Sequence, residues 1–237
     1  MPQVAAHKGT FGVAEAERLL WRAGFGPRKG EAEKLAALGL DGAVRALALI
    51  HDRPAELLEN LPAIVRIRGN VERWLREDPE APESAQQFLT TALAAARESL
   101  GPDLIERLYR LPEQAELDGI LVCHGSPLSD IESFAPEAQP EDERLLAGQS
   151  KRTILFGHSH RQFRRAGPNG TLLVNPGSVG APLDGDPRAA WAIYENGEIT
   201  FRRTAYDVER AVAQMRTYGD WADPIVYRIE HGSDRQP

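Results

Sequence analysis

Along the first fifty residues, apolar positions recur at helical spacing. Val13, Ala16, Leu19, Leu20 and Ala23 fall on one stripe, and Gly24 stops it. Glu31 to Leu38 reads as a second short helix ending at Gly39, and Asp41 can cap a third from Gly42 to about Leu49. No strand of five or more residues is expected before Ile50. Beyond that point the period changes. Pro54 to Leu61 reads as a helix with proline in its first turn, and Ala63 to Arg68 as a strand running into Gly69-Asn70. Ser84 to Leu100 carries Phe88, Ala92, Leu93 and Ala96 at helical spacing and is closed by Gly101-Pro102. Gly119 to Cys123 is a short, wholly apolar run, as a buried strand requires. Thr153 to Phe156, Leu172 to Val174, Ala190 to Tyr194 and Ile199 to Arg203 complete the predicted strands. Asn196-Gly197 is a strong hairpin turn between the last two. Tyr206 to Met215 reads as a helix, and the acidic, proline-containing stretch Ser133 to Glu143 as an exposed loop.

Composition narrows the picture modestly. Apolar residues make up 42% and charged residues 27% of the 237, as expected for a globular chain of one large domain or a domain with an appendage. The net charge of −7 argues against a nucleic-acid duplex as partner. No apolar run approaches the ~20 residues that span a bilayer. Met1 to Thr10 has neither a basic start nor an apolar core, so no secretory signal is visible and a cytoplasmic location is expected. The single cysteine, Cys123, excludes an internal disulfide and reads as a buried, inert thiol.

The candidate chemistry lies where the apolar strands stop. Each ends in a glycine-containing polar turn: Gly69-Asn70, His124-Gly125, Gly157-His-Ser-His160 and Asn175-Pro-Gly-Ser178. Ligands of open α/β sheets bind at the carboxyl ends of strands, so these residues can converge on one rim. Both side chains of His158-Ser-His160 point to one side if the backbone is extended. Neutral imidazoles and an amide oxygen suit Mn, Fe, Zn or Co rather than Ca or Mg alone. His7, His51 and His231 read as ordinary hydrogen-bonded histidines.

In order and spacing, Gly69-Asn70, His124-Gly-Ser-Pro127, Gly157-His-Ser-His160 and Asn175-Pro-Gly-Ser-Val-Gly180 resemble the later motifs of the calcineurin-like metallophosphoesterases. The closest likeness is to their small bacterial phosphodiesterase branch. It covers roughly residues 50 to 215 and continues through Asp184-Gly-Asp-Pro-Arg and Arg202-Arg-Thr-Ala-Tyr-Asp207. The resemblance implies an α/β fold (α+β by some schemes): a β-sandwich of two mixed sheets flanked by helices. It implies two divalent metals, with Asn70, His124 and His158 on the second and His160 on the first. It places Gly69, Gly125, Gly157, Asn175 and Ser178 in loops that shape the site. In much of the family a histidine follows the asparagine; Val71 and Glu72 stand there instead.

The family's upstream Asp-x-His and Gly-Asp motifs, whose carboxylates bind and bridge the metals, have no counterpart. Only His51 and Asp52 stand nearby, in reversed order. Residues 10 to 48 instead resemble the opening of a bacterial family of uncharacterised function, marked by Arg18-Leu-Leu-Trp-Arg-Ala-Gly-Phe-Gly26 and Leu38-Gly-Leu-Asp-Gly42. The expected organisation is therefore a fusion. A helical segment, 1–49, replaces the first β-α-β of a metallophosphoesterase-like domain, 50–237, incomplete at its N-terminus. The expected function is metal-dependent hydrolysis of a small phosphate ester or nucleotide, impaired by the missing carboxylates. The alternative is a non-catalytic metallophosphoesterase-like binding or regulatory protein.

Overall fold

A computed structural model describes residues 10, 12–14, 16, 31–39, 65–81 and 83–234. The chain divides into two compact units, 1–64 and 65–237. In the first, residues 13, 14 and 16 are helical, and the Ala16 N–H bonds the Gly12 carbonyl at 3.0 Å. Helix α1, Glu31–Ala37, is followed by Gly39 at φ +68°, the left-handed conformation that ends a helix without a Cβ penalty. The predicted helices at 42–49 and 54–61, and His7, His51 and Asp52, lie outside the described residues.

The second unit begins with a correction. Residues 65–69 form no strand; they run without regular structure into helix α2, Asn70–Trp74. The alternation of Ile and Arg suits an extended chain, but the Arg68 N–H bonds only the Pro112 carbonyl, at 2.7 Å, so no ladder forms. Helix α3, Glu83–Tyr109, outruns its predicted end. Gly101 breaks it at φ 73° and ψ 163°, and Pro102 then opens a second helical stretch. Trp74, Leu75 and Leu93 are buried together, with Leu89, Leu100 and Ile105 against them. Arg97 on α3 donates to the Leu75 and Trp74 carbonyls at 2.9 and 2.7 Å. It thereby satisfies the end of α2 with a cation, where the helix dipole favours one, and locks the two helices together.

Strands β1 (Gln114–Leu117), β2 (Ile120–Cys123), β3 (Thr153–Leu155), β4 (Gln162–Ala166) and β5 (Leu172–Pro176) form one mixed sheet in the order β1-β2-β3-β5-β4. The central pairs β2–β3 and β3–β5 are parallel, and the edge strands β1 and β4 run antiparallel to their neighbours. The central strands are the apolar runs legible in the sequence. The two edges were not predicted, because Gln114–Leu117 is largely exposed and Gln162–Ala166 carries two arginines. The core joins Leu121, Cys123, Phe134, Leu145, Leu146, Ile154, Phe156 and Leu173.

The stretch Ser133 to Glu143 is a second correction. Only residues 137–141 are exposed as an unbroken run. Phe134 is 1% exposed and meets the Phe156 ring edge-on at 5.1 Å. Asp142 is 2% exposed, opens the short helix α4 (Asp142–Leu145) and pairs with Arg165 at 2.8 Å. One buried aromatic and one buried ion pair therefore pin a segment whose composition reads as solvated.

Strands β6 (Ala189–Glu195) and β7 (Glu198–Thr204) form the predicted hairpin. Asn196 and Gly197 both have positive φ, as a type I′ turn demands. Helix α5 (Val208–Arg216), capped by the Asp207 carboxylate, packs on α6 (Asp223–His231) through Val212, Val226 and Ile229. Helix α6 was not anticipated. Its end is anchored where the Gly185 N–H bonds the Gly232 carbonyl at 2.8 Å. No helix among the described residues is long and apolar enough to cross a membrane.

Candidate functional site

Three parallel neighbours end on one edge of the sheet, so His124 after β2, His158 after β3 and Asn175 at the end of β5 arrive together. The fourth residue is carried by a helix. Asn70 is the first residue of α2, not the end of a strand, and is 7% exposed. Its Oδ1 lies 2.8 Å from His124 Nε2 and 3.3 Å from His158 Nδ1, and the two ring nitrogens are 3.4 Å apart. The rings stand edge to face with centroids 5.3 Å apart. The circle through these three donor atoms has a radius of about 1.8 Å, slightly less than a Zn–N bond of about 2.0–2.1 Å. Asn70, His124 and His158 could therefore hold a single divalent ion between them.

Glycines make this convergence possible. A Cβ on Gly69 would stand 2.8 Å from His124 Nδ1. The Gly69 backbone is extended at φ −106°, so the need is for space and not for an unusual dihedral. Gly125 is confined in the same way: its Cβ would meet the Ser129 carbonyl oxygen at 2.7 Å, where the following loop folds back. Glu72 holds the start of α2 by accepting from the Gly69 N–H at 2.9 Å, while Val71, at the family's histidine position, is largely exposed.

The His-Ser-His turn is not extended, contrary to the sequence expectation. His158 and His160 have φ +59° and +56°, and the Ser159 N–H bonds the Gly157 carbonyl at 2.7 Å. This tight turn around a left-handed residue is sparsely populated for non-glycine residues and needs bracing. Asn175 braces it. Fully buried, its Nδ2 donates to the Gly157 carbonyl at 2.7 Å and contacts Ser159 Oγ at 3.0 Å, while its Oδ1 accepts from the Gly177 N–H at 2.9 Å. The turn aims the two histidines differently. His158 Nδ1 faces Asn70 and His124, whereas His160 Nδ1 bonds the Ala181 carbonyl at 2.8 Å. The carbonyl can only accept, so His160 carries its proton on Nδ1 and keeps the Nε2 lone pair free of it. Ser178 supports that partner, its Oγ accepting from the Ala181 N–H at 3.1 Å.

Electrostatics keep the imidazoles neutral. Burial pushes His158 down to about 4, with further lowering from His124 and His160. Burial also lowers His124, against the pull of Asp130, and lowers His160, against its Ala181 bond. Uncharged at pH 7, all three can offer lone pairs. Among the described residues, no three His, Cys, Asp or Glu side chains cluster as metal ligands; the triad depends on the Asn70 amide oxygen.

Two residues not singled out in the sequence join the site's walls. Arg73, one turn after Asn70, donates from Nε and Nη2 to both oxygens of Asp130 at 2.8 and 3.0 Å. It ties the helix carrying Asn70 to the loop following His124. Its i+3 spacing from Asn70 was the available signal, but nothing in the sequence pointed to Asp130. Burial opposes ionisation of Asp130, but Arg73 outweighs it and holds the carboxyl below its usual value. His231 is remote from this arrangement in role. It stacks on Tyr227 and bonds its carbonyl at 3.0 Å.

The model of the calcineurin-like phosphoesterase superfamily domain matches residues 48–197. Among solved structures, the chain is similar to a metallophosphoesterase from Sphaerobacter thermophilus. The identity is 25% and the TM-score 0.58, over 75% of this chain and 80% of that one. It shares its fold with a hypothetical protein from Pyrococcus horikoshii OT3, at 19% identity and a TM-score of 0.59, over 82% of this chain and 80% of that one. No curated protein matches the sequence.

Proposed function

The chain belongs to the calcineurin-like phosphoesterase superfamily, and from that premise we propose that it is a metal-dependent phosphoesterase acting on a small phosphate ester or nucleotide. The observation that carries the reading is the convergence of Asn70 Oδ1, His124 Nε2 and His158 Nδ1 within 3.4 Å of one another. These three would hold one divalent ion, Mn, Fe, Zn, Ni or Co by donor type. His160, its tautomer set by Ala181, offers Nε2 to another. A bound ion supplies Lewis-acid polarisation of a phosphoryl oxygen. The chain's own part is orientation. Gly69 admits the His124 ring, Asn175 holds the turn that aims His158, and Arg73 with Asp130 fixes helix α2 against the His124 loop.

A second reading is a non-catalytic relative that binds metal weakly. The donors are neutral, and Asp130, whose charge reaches both His124 and His158, is committed to Arg73. One experiment separates the two: calorimetric titration with Mn²⁺, then hydrolysis of bis-p-nitrophenyl phosphate. Saturable binding with turnover lost in His124→Ala supports the enzyme. Binding without turnover supports the second reading, and turnover indifferent to His124→Ala refutes the site.

A further inference from the structure

We propose that the cavity beside His124 receives the leaving group of the substrate, and that its paired charges select a neutral, hydroxyl-bearing leaving group over one carrying phosphate. The proposal rests on the reading of Asn70, His124 and His158 as the metal-holding triad. His124 is shared: its Nε2 faces Asn70, and its ring also lines a cavity of about 220 Å³. Its charged walls are Arg68, Arg73, Glu113 and Asp130, and Gln114, Ser126 and Ser129 are its uncharged polar ones. A group leaving phosphorus next to the triad would have this space beside it.

The lining decides what it welcomes. Arg68 donates to the Tyr109 carbonyl at 3.2 Å, pairs with Glu113 and lies over the Tyr109 ring, its guanidinium carbon 4.9 Å from the ring centre. Arg73 engages Asp130 with two donors and reaches Glu77 and Glu80, each at 3.2 Å. Both cations facing the cavity are thus matched by carboxylates. An entering phosphate would find no uncommitted cation in the lining and would face Glu113 and Asp130. Like charges brought together in a partly desolvated site repel, and such juxtaposition is a common source of discrimination.

A neutral polyol or nucleoside meets different groups. Gln114 donates its Nε2 to the Pro127 carbonyl at 2.8 Å, which leaves its amide oxygen to accept. Asp130, whose two oxygens each accept one bond from Arg73, keeps further lone pairs to accept a hydroxyl, and Leu128 adds an apolar side wall. In hydrolysis of such a diester, the water oxygen bonds to phosphorus and the P–O bond to the alcohol breaks. One water proton goes to the departing alkoxide and the other product is a phosphomonoester.

The test is equilibrium binding to the metal-free full chain, read by ligand-detected magnetic resonance, with uridine and inorganic pyrophosphate as probes. A parallel Mn²⁺ titration reads the triad. The wild-type chain is expected to bind uridine in preference to pyrophosphate. Glu113, whose side chain is 72% exposed, can be neutralised without disturbing the core. Glu113→Gln frees Arg68 and is expected to raise the ratio of pyrophosphate to uridine affinity by about two- to five-fold, within the range one exposed ion pair is worth. With Mn²⁺ bound normally, any of three results overturns this proposal alone. They are equal or tighter wild-type binding of pyrophosphate, no detectable uridine binding, or an unchanged ratio in the variant. Failure of Mn²⁺ to bind overturns the triad reading and this proposal with it.

Discussion

Replacing Gly69 with alanine tests the site without touching any proposed ligand. The new Cβ would stand 2.8 Å from His124 Nδ1, 2.9 Å from Cε1 and 3.0 Å from Cγ. Carbon contacts become comfortable near about 3.5 Å, so the ring must retreat by roughly 0.6 Å. Ligand positions in metal sites tolerate only about 0.2 Å, so the retreat exceeds the tolerance about threefold. Removing even an outer partner of a ligand costs about 10–100-fold in metal affinity, and displacing the ligand itself should reach the upper end. The metal-free fold should lose no more than about 2.6 kcal/mol, and the with-and-without-metal difference is read separately from that loss. Overpacking costs about 1–3 kcal/mol, and the alanine recovers about 0.4–1 kcal/mol by restricting the unfolded chain at an ordinary φ. The assay is thermal melting with and without Mn²⁺ at one hundred times the wild-type Kd. Mass action then stabilises the wild type by about 2.7 kcal/mol, and a variant binding 100-fold more weakly by only about 0.4 kcal/mol. A Gly69→Ala protein with the wild-type Mn²⁺-induced shift would refute the close approach of Gly69 to His124 as a determinant of the site.

Three further outcomes are expected. Asn175→Ala removes one of the two donors to the half-buried Gly157 carbonyl, strands the Gly177 N–H and empties a fully buried side-chain position. It should cost about 2–3 kcal/mol and lower the melting temperature by roughly 5–10 °C; a shift under about 2 °C would contradict its bracing role. The three lowered histidines make metal-free stability fall with acid. Above the unfolded value near 6.5 neither state is protonated. As pH drops below it the unfolded chain takes up protons that folded His158 refuses until about 4. Denaturant midpoints should decline across that window and more gently in His158→Gln; a flat profile would show that these groups are not desolvated. Gly232→Ala should loosen the end of α6, since φ is +63° and the Cβ would lie 2.7 Å from the Asp186 backbone. Protease cleavage beyond residue 204 should accelerate, and unchanged resistance would count against that anchor.

Legibility followed physical signal. β2, β3 and β5 were readable because buried parallel strands must be continuously apolar, and their polar stops announced His124, His158 and Asn175. The hairpin at Asn196-Gly197 was readable because few residues accept its dihedrals. The edge strands were hidden, since an exposed strand such as Gln114–Leu117 has no apolar face to betray it. Asn70 is legible as a site residue, but Ile-Arg alternation before a glycine resembles a strand end, whereas Asn70 opens a helix. The left-handed turn at His158 and His160 was invisible, as it arises from Asn175, Gly157 and Ser159 acting across the sheet. Phe134 and Asp142 were lost to composition, which averages away a single anchor among solvated neighbours.

The parallel order of β2, β3 and β5 also has a kinetic meaning. The hairpin β6–β7 and the adjacent pair β4–β5 join segments close in the chain and need only short loops closed. The pairing of Leu121 with Ile154, and of Ile154 with Leu173, must first close long loops, whose entropic cost slows assembly. His124 and His158 sit at the tips of those slow pairings. Their meeting with Asn70 is therefore a late event in refolding. A stopped-flow signal from Co²⁺ captured by the triad would lag behind the recovery of secondary structure and report the arrival of the native topology.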